Sequence, residues 1–226
     1  MNPALKHVSA YMKGLGLGAL THALRLSLYC DPDNPSWSDL SVLNAAHAAE
    51  LLIKARIAAE HPLLVFTQLP KSTHADAGAV LDFRDLFERG LTLEFHELPE
   101  RLWAATGQKL PSLDSYQRFG KFRNAIQHFA PPQEDASART LEFVFSVLDP
   151  FIHDNWGLFA IDFNEEFGDH YEHIFETLVE RDIRPLISPE AARHWKRLRY
   201  EPGPDAPRGY AAWFETSMAS ALAGKP

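Results

Sequence analysis

Apolar residues in this chain recur at a helical period, and prolines close nearly every stretch in which they do so. Leu15, Leu20, Leu24 and Leu28 lie near one face of a helix expected over residues 5–29. Ala45, Ala48, Ala49, Leu52 and Ile53 keep the same period in a second helix, which Ser36 or Ser38 caps and Pro62 ends. Gly14, Gly16 and Gly18 interrupt the first helix and predict a bend or break there. Residues 67–78 read as a polar loop, and 91–95 as a short apolar connection. Further helices are expected over 78–89, 99–106, 111–130, 137–156, 168–181, 188–198 and 208–223, with Pro150 marking a kink in the long one. Neither paired strand patterns nor a repeat of fixed period is evident. The fold class that follows is all-α: an up-and-down helical bundle over residues 1–157, with a less compact C-terminal helical extension over 158–226 packed on it.

At 226 residues the chain can bury a core large enough to fold without staples. Cys30 is the single cysteine, so no internal disulfide forms, and a reducing, cytoplasmic setting is expected. The apolar run 14–20 is too short to span a membrane. The net charge of -8 argues against a general nucleic-acid coat protein, so any surface that meets nucleic acid must be local.

A local polar cluster is predicted at residues 121–130. On a helical wheel Phe122, Ile126 and Phe129 form a narrow apolar stripe, and Arg123, Asn124, Gln127 and His128 fill the opposite arc. Asn124 and His128 are neighbours one turn apart. His128 sits in the last turn before Pro131, where the helix C-terminus favours a protonated imidazole. Arg123 and His128 are about 140° apart around the axis, which favours a composite site completed by a second copy.

The run Arg123-Asn124-Ala125-Ile126-Gln127-His128 resembles the signature of the HEPN superfamily, an Arg followed by four to six residues and a His, commonly with Asn directly after the Arg. The segment His47-Ala-Ala-Glu50-Leu-Leu-Ile-Lys54 resembles the second helix of such proteins. The resemblance covers about Ser36 to Pro131 and implies a helical bundle that dimerises and places the motif at a shared cleft. It implies a metal-independent endoribonuclease of a toxin–antitoxin or phage-defence type. In that reading Arg123, Asn124 and His128 are catalytic, and Lys121 and Gln127 bind the RNA substrate. No metal or cofactor is called for. An antitoxin or other partner protein is expected alongside the homodimer, and no membrane. A catalytically inactive HEPN-like module that binds a partner protein or a nucleotide is the alternative.

Other residues carry weaker versions of the same patterns. Arg56 and His61 repeat the spacing, but apolar Ile57 follows the Arg and Pro62 the His; Arg89 and His96 straddle Gly90. His170 and His173 with Glu165, Glu166 and Asp169 form a metal-like grouping, although the chain contains no Glu-x-x-His pair. The basic run Arg193-His-Trp195-Lys-Arg197-Leu-Arg199-Tyr200 interleaves cations with aromatics. It reads either as an RNA contact or as a helix C-terminal cation cluster with Trp156, Trp195 and Trp213 as packing residues.

Overall fold

A computed structural model describes residues 5–29, 31, 33–34, 36–71, 81, 83–129, 135–163 and 170–224. The fold is all-α, with 73% helix and 3% strand. Among the described residues, no helix is long and apolar enough to cross a membrane. The chain divides into two compact units, Met1–Leu17 with His47–Leu110 and Gly18–Ala46 with Pro111–Pro226. Residues 158–226 thus fall in one unit with 111–157, and the division passes through the first two helices rather than at residue 157.

Those helices are α1 (Val8–Leu28) and α2 (Trp37–Glu60). α1 runs unbroken through its three glycines, against the expected bend. Gly16 shows why one of them is there. A Cβ at that position would lie 2.8 Å from the Leu52 side chain and 3.2 Å from Leu51 Cβ, so glycine lets the two helices approach. Within this first unit Ser9 Oγ donates to the Ala55 carbonyl at 2.8 Å, which fixes the same pair of helices in register. The nearly buried Lys54 ammonium is held by Glu50 at 2.6 Å, so the Glu50–Lys54 pair of α2 is an intrahelical ion pair.

Pro62 ends α2 as expected, and His61 Nδ1 accepts the Leu63 N–H at the start of the following 3-10 turn. The chain then departs from its sequence pattern. Phe66–Gln68 forms β1, and β1 pairs antiparallel with β2 (Leu91–Thr92). Segments this short carry no readable alternation, and register here depends on a close approach at Gly90, where a Cβ would fall 2.8 Å from the Phe66 ring. Between the strands lies α3 (Phe83–Arg89), and α4 (Leu98–Thr106) follows β2. The expected start of the third helix at residue 78 lies outside the described residues, as do Cys30 and residues 72–80.

The second unit holds α5 (Leu113–His128), α6 (Ala136–Phe143), α7 (Asp149–Trp156), α8 (His170–Glu180), α9 (Pro189–Leu198) and α10 (Tyr210–Leu222). α6 and α7 form one continuous helix through a π-turn, Val144–Leu148, in which the Asp149 N–H reaches back five residues to the Val144 carbonyl. The wider turn makes room for the Pro150 ring just beyond it, so the proline is accommodated by a change of helical pitch.

The C-terminal third is well packed rather than loose. Phe175, Trp195 and Phe214 have ring centroids 4.6–5.5 Å apart, and Tyr210 donates its hydroxyl to the Ile183 carbonyl at 2.6 Å. Asp149 ties this region to the long helix. Its carboxylate is fully buried and accepts the Ala160 N–H at 2.8 Å and the Leu186 N–H at 2.7 Å. Burial pushes the Asp149 carboxyl up to about 7, the two N–H donors hold it back, and nearby Asp162 adds to the rise.

Candidate functional site

α5 begins after Pro111 and Ser112, and Asp114 in its first turn complements the positive helix end. Tyr116 and Phe119 are its buried residues, and Phe119 stacks on Phe143 of α6 with ring centroids 3.8 Å apart. These two rings set which face is inside. Arg123 follows Phe119 by four residues and Tyr116 by seven, so it continues the buried face and is half-buried itself. Phe122 and Ile126 are also half-buried, while Phe129 is 95% exposed. The expected stripe of Phe122, Ile126 and Phe129 is therefore not the core-facing side. The buried stripe is rotated from it, because Tyr116 and Phe119 anchor the helix earlier in its length.

The motif residues meet different surroundings along this helix. The Arg123 guanidinium donates to the Asn124 amide oxygen at 2.9 Å, along the helix surface. Asn124, Gln127 and His128 are exposed, and His128 closes the helix. Arg123 and His128 point about 140° apart, as the helical geometry requires. One chain therefore brings Arg123 to Asn124 and leaves His128 on another face.

Lys121 is exposed and faces a groove of about 370 Å³ between α5 and α6. Ser115, Arg118, Lys121, Phe122 and Ala125 supply one wall, and Arg139 and Glu142 the other, above the stacked Phe119 and Phe143. Arg139 pairs with Glu142 at 3.1 Å, and Arg118 donates to Ser115 at 3.1 Å. A second depression, lined by Ser112, Leu113, Asp114, Ser115 and Arg118, shares Ser115 and Arg118 with the first. Arg118 and Arg139 were not among the residues singled out from the sequence. Arg118 precedes Lys121 by one helical turn and was legible by spacing, whereas Arg139 enters only because α6 packs on α5.

The other sequence patterns resolve as local structure. Arg56 pairs with Glu60 at 2.7 Å while His61 caps the next turn; Arg89 pairs with Asp85 at 3.4 Å, and His96 lies beside Glu94 at 3.4 Å. His173 hydrogen-bonds the Leu28 carbonyl at 3.1 Å and stacks on Tyr29. Glu165, Glu166 and Asp169 lie outside the described residues, as does the His170 side chain. Among the described residues, no group of three or more His, Cys, Asp or Glu is placed to hold a metal ion.

Compared with protein-family models, curated proteins and solved structures, the chain matches none. In α9, Trp195 is fully buried, and beyond its end the half-buried Tyr200 packs its ring edge-on against Phe175 and donates its hydroxyl to Glu176 at 3.4 Å. His194 is engaged by Glu172 at 2.7 Å and by Arg197 at 3.1 Å. What α5 offers instead is an exposed imidazole, a guanidinium steadied by a neighbouring amide, and two cations, Arg118 and Lys121, that line a groove with Arg139 and Glu142 of α6. Such a set can bind phosphate and move a proton next to it.

Proposed function

We propose that this chain is a cytoplasmic, HEPN-like, metal-independent endoribonuclease of the toxin–antitoxin or phage-defence type that works as a homodimer. The observation that carries the reading is the composition and exposure of the end of α5. His128 stands open to solvent at the C-terminal end of the helix, and Arg123, five residues earlier, is aligned by Asn124. In this reading the RNA 2′-oxygen attacks the adjacent phosphorus and the bond from phosphorus to the 5′-oxygen breaks. His128 takes the 2′-hydroxyl proton or gives a proton to the departing 5′-oxygen, and solvent water exchanges the other proton. Arg123 offsets charge on the phosphoryl oxygens. The products are a 2′,3′-cyclic phosphate and a 5′-hydroxyl, and the nucleophile comes from the RNA itself. The wide angle between Arg123 and His128 makes the partner copy's motif part of each site, with Lys121 and Gln127 as substrate contacts.

The half-burial of Arg123 favours a second reading, a catalytically inactive module that binds a partner protein or a nucleotide. One assay separates the two. Purified protein is incubated with total RNA in EDTA, beside His128→Ala and Arg123→Ala. The ribonuclease reading expects cleavage with cyclic-phosphate ends, reduced at least about 100-fold by His128→Ala. Intact RNA after incubation with a folded dimer rejects it in favour of the binding module.

A further inference from the structure

We infer that the groove between α5 and α6 is the track for a single RNA strand, with Arg118, Lys121 and Arg139 on its phosphates and Phe122 against a base. The inference rests on the reading of this chain as RNA-directed, though not on its cutting RNA.

Three observations carry it. The first is charge. In a chain of net charge -8, this groove gathers three cations against the carboxylate of Glu142, and the depression that extends it adds Asp114. A local excess of positive charge on an acidic protein is concentrated where it serves one anionic ligand. The second is shape and lining. A volume of about 370 Å³ falls in the range of small-ligand sites and suits one nucleotide. The depression that shares Ser115 and Arg118 extends the channel to Ser112. From Ser112 to Ala125 the helix runs about 20 Å, longer than one nucleotide, so the ligand is a chain. The half-buried Phe122 ring lies in the wall between the cations, as sequence-tolerant strand binding requires. The third is direction. Lys121 and His128 are seven residues apart and so lie within about 20° of each other on the helix, about 10 Å apart along it. Lys121 thus stands on the side of the helix that carries His128, one turn beyond Ala125, the last α5 residue of the groove. The groove passes Arg123 on the opposite side, in keeping with an Arg123 contribution from a second copy.

The charged side chains also differ in what they can give. Arg118 is steadied by Ser115, and Lys121 reaches in from the exposed face. Arg139 is shared with Glu142, so it contributes less than a full charge to a bound phosphate.

The test is fluorescence-anisotropy binding of a labelled twelve-nucleotide oligouridylate to the full chain carrying His128→Ala, in EDTA, over a range of salt. Arg118→Ala and Lys121→Ala should each weaken binding about five- to tenfold and lower the slope of log affinity against log salt by about 0.7. Arg139→Ala should weaken it less, and Phe122→Leu, which keeps an apolar side chain but removes the ring, about threefold. Arg193→Ala and Lys196→Ala, on the exposed face of α9, should change neither quantity. Equal thermal melting of all variants secures the comparison. Groove variants that bind within twofold of the parent overturn the inference, and so does equal weakening by the α9 variants. Failure of the parent to bind RNA, with groove-dependent binding of a poly-glutamate peptide instead, also overturns it. The two readings fail separately. Wild-type cleavage with unchanged binding in the groove variants removes the track and keeps the nuclease. Groove-dependent binding without cleavage keeps the track and removes the nuclease.

Discussion

Both α5 and α9 interleave cations with aromatic rings, Lys121-Phe122-Arg123 in one and Arg193-His194-Trp195-Lys196-Arg197 in the other, yet the rings meet different fates. In α9 the ring turns inward. Trp195 packs among Phe175 and Phe214, and its flanking cations are a solvated rim. In α5 the inward positions are taken earlier, by Tyr116 and Phe119, so Phe122 is left in a groove wall and Phe129 in solvent. The same recipe of residues yields a closed cluster or an open edge according to helical phase. Phase is set by whichever large side chains are anchored first.

That contrast predicts a gradient of stability effects across the second unit. Trp195→Ala should cost about 3–5 kcal/mol in urea unfolding, because the indole is enclosed on all sides; a loss under about 1 kcal/mol would erase the distinction between the two helices. Next comes Asp149, the carboxylate that fastens the closed region. Its folded value near 7 lies above the ordinary 3.8, so the proton is held more tightly by the folded chain. The stability this provides is complete below about pH 4 and is lost as pH rises through about 7, a change of up to about 4 kcal/mol. Asp149→Asn should flatten that slope relative to the parent, at the cost of one backbone acceptor; an unchanged slope of urea midpoint against pH would place the titration elsewhere.

Nearer the open edge the effects shrink. Asp135 caps α6 through the Ala138 N–H at 2.9 Å and meets Arg181 at 2.9 Å. Burial pulls its carboxyl upward, but those partners outweigh it and hold it below its usual value. Asp135→Ala should cost about 1 kcal/mol, the usual worth of a cap, measured by thermal or urea unfolding. Phe129→Ala should fall within about 0.5 kcal/mol of the parent. A larger loss in the isolated protein, disappearing on dilution, would mean that a second copy covers that ring.

Helix positions were legible because period and punctuation are local. α2 was bounded by Pro62, and α9 by Ser188, whose hydroxyl accepts the Ala191 N–H at 3.0 Å. The β1–β2 pair was not, since two or three residues cannot show a period and their pairing depends on Gly90 beside Phe66. The break expected in α1 failed for a related reason. A glycine lowers helix propensity by about 1 kcal/mol, and tertiary contact such as that of Gly16 with Leu52 outweighs it. At the site, residue identities were legible and their facing was not. The wheel of residues 121–130 contained no anchor as strong as Phe119, so its apolar stripe pointed the wrong way. Arg139 was out of reach altogether, because nothing in one helix announces which helix will lie beside it.

The π-turn between α6 and α7 has a final consequence. Its surplus residue is a phase offset stored in the middle of a rod, and everything downstream inherits it. Removing one residue from 144–148 would restore an ordinary pitch and swing α7 by about 100° about the axis. The Asp149 carboxylate would then face away from the Ala160 and Leu186 N–H groups that it now joins. A single local miscount thus determines which way the remaining third of the protein is latched.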